Sequence, residues 1–447
     1  MPGFFVLSQT AIEVFGVLLS PFRFVIYILF FKKAERRRVR EALHPTSVEL
    51  RPPPLRPSAP AAGAPITIFI SAGEASGELH AANLIEEIRA RRANVRFVAF
   101  GGERLAEAGA ETVLSLSREA GMGLLHGLST VPHHVNIAQE FVNILEREKP
   151  AVCVFIDNPG FHLILASLAR KRAVPAIQYI CPQTWAWAPW RWRRLKRDVA
   201  ALLAIVPFEV PYFESYGIRV RYVGHPIGDD FKKRTVNITE TEKLRAGGTV
   251  VALFPGSRRA EVKRNLPAML RVAARIQQKI PPARFILTTR DPHLAKLSSD
   301  LIQQLSPLNI QLNIEVRSGD PDAVLAAAAF AIAKSGTGTL EIALHRVPQV
   351  IIYKLARRFD LLLSKFLLTV PNISMLNLLS NREVVPEVMF VDDRDEDRIV
   401  EIALRYLQNE NERTQQIRNL ERAYSRIEPP GAAARAAEEV LKFTDKL

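Results

Sequence analysis

An α/β fold of two doubly wound, Rossmann-like domains, preceded by an N-terminal hydrophobic membrane-anchor segment, is what the sequence predicts, on three observations. Short apolar runs alternate with amphipathic stretches from residue 66 onward, the alternation restarts at about residue 240, and the first 65 residues differ in composition from the rest. A chain of 447 residues that is 48% hydrophobic can bury two cores. Its net charge of +14 suits nucleic acid, anionic membrane or phosphorylated substrates and does not choose among them. Cys153 and Cys181 are its only two cysteines and have no C-x-x-C spacing. They read as reduced thiols of a cytosolic compartment, which excludes a disulfide framework and a cysteine zinc site.

Taken in order, residues 4–31 are aromatic and branched-apolar, but Glu13, Pro21 and Arg23 interrupt them. No charge-free run reaches the ~20 residues of a spanning helix, so a shallow re-entrant or interfacial anchor fits better. The basic run 32–40 then stays cytoplasmic, and its place after the apolar part argues against a secretory signal peptide. Residues 1–50 are thus a membrane-associating segment. Residues 51–65 (RPPPLRPSAPAAGAP) form a partly stiff, proline-rich linker to the globular part.

A first domain over 66–240 has strands expected at 66–70, 96–100, 151–156, 176–180 and 201–206, with amphipathic stretches such as 135–147 between them. A second over 241–429 has strands at 250–254, 284–289, 312–316, 330–334 and 348–353. Residues 430–447 read as one amphipathic helix able to pack on either domain. All four tryptophans, Trp185, Trp187, Trp190 and Trp192, fall within eight residues, and Arg193, Arg194, Lys196 and Arg197 follow. Indoles favour the headgroup level and cations attract anionic lipid, so Trp185 to Arg194 are candidate membrane contacts; indoles filling a core beside a solvated basic helix are the alternative.

Ligands of an open parallel sheet bind at the carboxyl ends of its strands. In the first domain those ends carry Ser71 to Glu78, Asp157 to Phe161, and Cys181 to Trp185. In the second, Gly256, Ser257 and Arg258 stand between a strand and a helix. There a glycine admits a phosphate, free N–H groups donate to it and an arginine forks onto its oxygens. Ser335, Gly336, Thr337 and Gly338 repeat the device, with Glu341 one turn inside, placed to accept from ribose hydroxyls. Either loop alone also reads as a helix cap; two in one domain favour a nucleotide diphosphate.

The segments AGEASGE (72–78), FIDNPGF (155–161), YICPQTWAW (179–187), FPGSRRAEV (254–262), SGTGTLE (335–341) and ISMLNLLSNREVVPE (373–387) resemble, in order, the motifs of the lipid-A-disaccharide synthase family. The likeness covers about 66–425. It implies an inverting, metal-independent glycosyltransferase of GT-B architecture, without a cofactor. Such an enzyme joins UDP-2,3-diacylglucosamine to 2,3-diacylglucosamine 1-phosphate, releases UDP and forms the β-1′,6 disaccharide of lipid A, at the inner face of the inner membrane of a Gram-negative-type bacterium. The resemblance further implies Asp157 as the base and Arg258 as the residue on the departing diphosphate. It places Ser335, Gly336, Thr337, Glu341 and Asn377 on the rest of the donor, with Glu74, Ser76 and Gly77 on the acceptor side; Glu74 reads equally as a residue fixing its loop, and a helix-cap or turn carboxylate is the alternative for Asp157. His225 matches a family position near the domain junction and reads as a hydrogen-bonded structural histidine.

The stretch DDRDED (392–397) contains a formal Asp-x-Asp, but it precedes a helix and reads as capping charge rather than a metal site. Gly160, His162, Glu78 and His126 depart from the family pattern, all in the acceptor half, which loosens the identity of the acceptor lipid. The alternatives are another GT-B transferase or a UDP-sugar epimerase on an acyl, polyprenyl or soluble sugar. An RNA-binding protein that keeps the fold would leave the nucleotide loops unused. The expected partners are the two lipid sugars and the cytoplasmic membrane surface, not nucleic acid, with a homodimer left open.

Overall fold

The structure is a computed structural model; it describes every residue except 1–30, 45–47, 49, 51, 53, 55–63, 74, 117–130, 187, 306–311, 361–363, 365–367, 428 and 445–447. Two compact units emerge, Met1–Asp229 with Pro429–Leu447, and Asp230–Glu428.

The first unit holds strands β1 Ile66–Ala72, β2 Val95–Phe100, β3 Glu111–Leu114, β4 Val152–Ile156, β5 Ala176–Tyr179, β6 Ala201–Ala204 and β7 Val220–Tyr222. They form one parallel sheet in the order β3-β2-β1-β4-β5-β6-β7. Alternate side chains point to opposite faces of a strand, and both faces are covered here. Ile68 and Ile70 share a core with Ala81, Leu84, Ile85 and Ile88 of the helix Ala75–Arg89 and with Ala436, Ala437 and Val440 of the helix Ala432–Leu441. On the other face Phe69 meets Phe141 of the helix Val131–Glu148 at 4.8 Å and Phe100 at 5.0 Å between ring centroids.

The second unit holds β8 Thr249–Phe254, β9 Ala283–Thr289, β10 Ile314–Ser318, β11 Phe330–Lys334, β12 Gln349–Lys354 and β13 Glu387–Phe390, again all parallel, in the order β10-β9-β8-β11-β12-β13. Val251 and Leu253 pack under the helices Arg259–Lys279 and Glu396–Gln408, while Val250 and Ala252 pack under Ile238–Ala246 and Asp322–Ala327. The doubly wound expectation holds for both units.

Two features depart from the sequence expectation, and a third falls within what it left open. Strands β3, β7 and β13, absent from it, each lie at a sheet edge, where short, half-covered sequences carry no continuous apolar run. The chain passes to the second unit at Asp230, not 241, because the helix Ile238–Ala246 packs on the second sheet. Residues 429–447 are part of the first unit, where Asp229 accepts from the N–H groups of Gly431 and Ala433 at the start of the last helix.

The segment 1–50, read as an anchor held off by a linker, is partly built into the first unit. Residues 1–30 lie outside the described residues, and no helix among those described is long and apolar enough to cross a membrane. The helix Lys32–Leu43 buries Glu35, Val39, Ala42 and Leu43 and exposes Lys33, Arg36, Arg37 and Arg40. Its Glu35 carboxylate, 3% exposed, accepts from the Tyr212 hydroxyl at 2.6 Å and from the Tyr216 hydroxyl. Of the described linker residues, Pro54 accepts from Arg91 through its carbonyl at 3.0 Å and Ala64 from Arg92 at 3.2 Å.

Removing one partner of a buried hydrogen-bonded set strands the others, at about 1–3 kcal/mol for each group left unpaired. Glu35→Ala should therefore cost the first unit about 2–6 kcal/mol in urea unfolding. A midpoint unchanged from wild type would mean that the helix adds nothing to the unit.

Candidate functional site

In each sheet one strand is flanked by neighbours whose connections run in opposite directions, and the crevice for a ligand opens at that reversal. It lies between β1 and β4 in the first unit and between β8 and β11 in the second.

At the first reversal, β1 runs through Ser71 and Ala72 to Gly73 and the helix Ala75–Arg89, with Ser76 exposed and Gly77 buried. Glu74, an expected acceptor contact, lies outside the described residues, as does His126. A Cβ on Gly73 would fall 2.7 Å from Asn158 Nδ2, so this loop and the one after β4 touch. A Cβ on Gly77 would stand 3.8 Å from the Ile156 carbonyl oxygen, which brings the helix start against the end of β4. Glu78 is engaged within the protein, accepting from the Gly102 N–H at 2.7 Å and fastening the loop after β2.

Asp157 follows β4 directly and is half-buried. It and Asn158 both adopt left-handed backbone, at φ 53° and 41°. Non-glycine residues there cost about 1–2 kcal/mol each and persist when their surroundings hold them. Here the Asp157 N–H donates to the Tyr179 carbonyl at 3.0 Å, and its carbonyl accepts from Gln178 Nε2 at 2.9 Å and His162 Nδ1 at 2.7 Å. His162 is fully buried, and burial pushes its pKa down to about 4 against the partly opposing bond to Asp157. A carbonyl only accepts, so Nδ1 carries the proton, and the neutral ring's Nε2 accepts from the Ser71 hydroxyl at 2.9 Å. Serine, histidine and aspartate in this order are not a hydrolase triad, because the histidine meets the backbone of Asp157 and both Ser71 and His162 are buried.

The tryptophan expectation needs correction at Trp185. Its ring is 3% exposed, packs edge-on to Phe208 at 5.0 Å, and donates to the buried Glu209 carboxylate at 3.2 Å. Burial raises the Glu209 pKa to about 7 even though Trp185 and two backbone N–H groups favour the carboxylate. Trp185 is therefore core. Trp187 lies outside the described residues. Trp190 is half-buried, and Trp192 stacks on Tyr216 at 4.9 Å, with the Arg193 guanidinium 5.5 Å over its ring. Arg193 is exposed, whereas Arg194 is half-buried beside the Leu163 carbonyl at 3.4 Å.

At the second reversal, β8 leads into Pro255, Gly256, Ser257 and Arg258, the last capping the 21-residue helix Arg259–Lys279. Gly256 sits at φ 132° with a would-be Cβ 2.6 Å from Glu261 Cβ, so no other residue fits without displacing that helix turn. Glu261 accepts from the Ser257 N–H at 3.1 Å and from Lys334 Nζ at 2.8 Å, and Asn265 donates to the Pro255 carbonyl at 2.8 Å. Lys334 ends β11, so this pair links the two loops. Ser335 is half-buried and Gly336 and Thr337 are exposed at the start of the helix Thr337–Leu344; Arg258 is also exposed.

Two expected donor contacts are engaged within the protein. Glu341 is 6% exposed and accepts from Arg290 through both oxygens, at 3.1 and 2.5 Å, and from Arg234. Burial acts to raise its pKa, but the two guanidiniums outweigh it and hold the carboxyl below its usual range. Asn377 is wholly buried, and its amide donates to the Val385 carbonyl and Glu387 at 2.8 and 2.7 Å. Its oxygen accepts from the N–H groups of Val384 and Val385 at 2.7 and 2.9 Å, which fills its hydrogen-bonding capacity. Asn377 thus braces the loop 384–387 and has nothing left for a ligand.

The acidic run 392–397 is paired with arginines: Asp392 with Arg358, Asp393 and Glu396 with Arg271, and Asp397 with Arg275. His225 is buried, its Nδ1 accepting from the Ile227 N–H at 3.1 Å. A cavity of about 430 Å³ opens beside β10, lined by Glu240, Glu315, Arg317 and Asp320 among others, and includes neither glycine loop. Sequence reasoning passed over Arg290, Lys334, Arg234 and Gln178. Arg290 stands directly after β9 and Lys334 ends β11, so the strand-end rule covers both. Arg234 has no local signal.

A family model described as lipid-A-disaccharide synthetase matches residues 68–439. The lipid-A-disaccharide synthase of Trichlorobacter lovleyi is 35% identical over 396 residues, covering 86% of this chain and 100% of that protein. That of Geobacter sulfurreducens is 34% identical over 382 residues, covering 85% and 97%. Among solved structures, a UDP-GlcNAc 2-epimerase from Neisseria meningitidis bound to UDP-GlcNAc has a TM-score of 0.54 at 11% identity, covering 86% of this chain and 100% of that one. Anabaena HepE in complex with UDP and glucose has 0.51 at 15% identity, with the same coverage. These structures share the fold.

Burial depresses the pKa of three histidines of the first unit, His80 and His162 to about 4 and His225 to about 3, from 6.5. Above about pH 6.5 each is neutral in both folded and unfolded chains and its contribution is complete. As pH falls from there toward 4 the unfolded chain gains protons first, and each histidine costs roughly 1.4 kcal/mol per pH unit. Unfolding followed by the tryptophans, all in the first unit, should shift to lower urea between pH 7 and pH 5; an unchanged midpoint would contradict neutral, buried rings.

Proposed function

The chain belongs to the lipid-A-disaccharide synthetase family, and from that premise we propose that it transfers 2,3-diacylglucosamine from its UDP conjugate to 2,3-diacylglucosamine 1-phosphate with inversion, releasing UDP. The observation that carries the donor half of this reading is the pair of glycine loops at the β8–β11 reversal, stitched by Glu261 and Lys334. The UDP-sugar epimerase reading rests on fold alone, at 11% identity.

In the transfer, the Asp157 carboxylate takes the proton of the acceptor's 6-hydroxyl as that oxygen attacks the donor's anomeric carbon. The bond from that carbon to the diphosphate breaks on the opposite face, and the electron pair leaves with UDP. Arg258 and the start of the helix Arg259–Lys279 meet the growing negative charge, which they stabilise more in the transition state than before it. Glu261 would oppose a diphosphate in that loop, but its ion pair with Lys334 offsets the charge. Arg290 and Arg234 hold Glu341 ionised, and in this reading its remaining acceptor capacity serves the donor's ribose hydroxyls.

The acceptor and product are amphiphiles, and the first unit carries a basic surface suited to an anionic membrane. The Arg38 guanidinium lies 4.6 Å over the Tyr216 ring, on which Trp192 also stacks, so the helices Lys32–Leu43 and Trp192–Asp198 meet there. Lys33, Arg36, Arg37 and Arg40 of one and Arg193, Lys196 and Arg197 of the other are exposed. This favours attachment at the cytoplasmic face of the inner membrane.

Asp157→Ala and Arg258→Ala should each lower turnover by at least about 100-fold while the protein stays folded. The reading is checked by mass spectrometry of the disaccharide 1-phosphate, and near-wild-type rates would remove that residue from the mechanism. Replacing Lys33, Arg36 and Arg40 together by alanine should weaken co-sedimentation with phosphatidylglycerol vesicles on the order of 100-fold at low salt. Undiminished binding would place the membrane contact elsewhere.

A further inference from the structure

We propose that His162 is a positioning residue for Asp157, acting with Ser71 and Gln178 to hold the backbone that presents the carboxylate. The inference rests on Asp157 being the base. Asp157 and Asn158 are consecutive non-glycine residues in left-handed backbone, directly at the end of β4. Both lone pairs of the Asp157 carbonyl are used, one by Gln178 from β5 and one by His162 from the helix Pro159–Lys171. The His162 ring is then fixed from β1 by the Ser71 hydroxyl and lies 5.2 Å from the Phe155 ring. Three strands and a helix thus converge, β1 through the His162 ring, on one peptide carbonyl at the β1–β4 reversal. Such convergence is what keeps a strained conformation populated, and a base misplaced by an ångström loses rate rather than binding.

The chemistry also says which substitutions the site tolerates. An asparagine places its amide nitrogen the same number of bonds from the backbone as histidine Nδ1, so it can donate to the same carbonyl. Glutamine places it one bond further, and leucine fills the space without donating. The Ser71 hydroxyl then lacks its acceptor, the smaller loss.

The test is steady-state kinetics of the full chain with both lipid substrates in detergent micelles. His162→Leu should lower kcat by about 10- to 100-fold with each KM within about threefold, because the lost bond acts on placement of the base rather than on binding. His162→Asn should restore kcat to within about threefold of wild type, and His162→Gln should not. A histidine that only stabilises the fold would instead lower the unfolding midpoint in all three and leave kcat unchanged below it. Equal kcat for the asparagine and glutamine variants, or wild-type kcat in the leucine variant, overturns the proposal. Should the leucine variant fail to fold, the comparison of asparagine with glutamine decides. Asp157→Ala is measured alongside: full activity there sinks the assignment of the base, whereas an inactive Asp157→Ala beside an unimpaired His162→Leu sinks only the positioning role.

Discussion

Parallel strands covered on both faces leave the sheet's carboxyl-terminal end as the place for polar chemistry, and the rest of this structure follows from that constraint. Burying β1, β4, β8 and β11 under helices requires nearly continuous apolar sequence, and no charged residue occurs in any of them before its last position. Asp157, Arg258 and Ser335 all appear within a few residues of that point. Each unit places its loops at a reversal of strand order, where two connections diverge and a ligand can enter.

Keeping such loops in place consumes polar groups of its own. Glu78, Glu261, Asn265, Asn377 and Glu387 all spend their oxygens or amides on backbone within a few residues of a loop. Asn377 shows how far this goes, since every one of its hydrogen-bonding positions is filled inside the protein. A residue that recurs in a motif can therefore serve the ligand without touching it, by fixing the backbone that does. Glu341 is intermediate: two arginines share it, and their charge keeps it an acceptor.

The N-terminal extension lies outside the residues that the family model matches, yet the helix Lys32–Leu43 is seated through a carboxylate shared by two tyrosines. Tyr216 also carries Trp192 and Arg38. One aromatic ring thus joins a segment outside the family match to the basic helix that follows the tryptophans. Trp185 faces the other way because its indole N–H finds the buried Glu209.

Periodicity and strand-end chemistry determined from sequence alone the two doubly wound units, ten of the thirteen strands and both glycine loops, because buried strands and phosphate-type turns are written in consecutive residues. The edge strands β3, β7 and β13, the return of residues 429–447 to the first unit and the seating of the basic N-terminal helix were decided only by tertiary structure. So were the inward turn of Trp185, the arginines on Glu341 and the grip of His162 on Asp157. Each of these depends on a partner distant in sequence or on which face a neighbour covers, and local residue patterns carry no record of either.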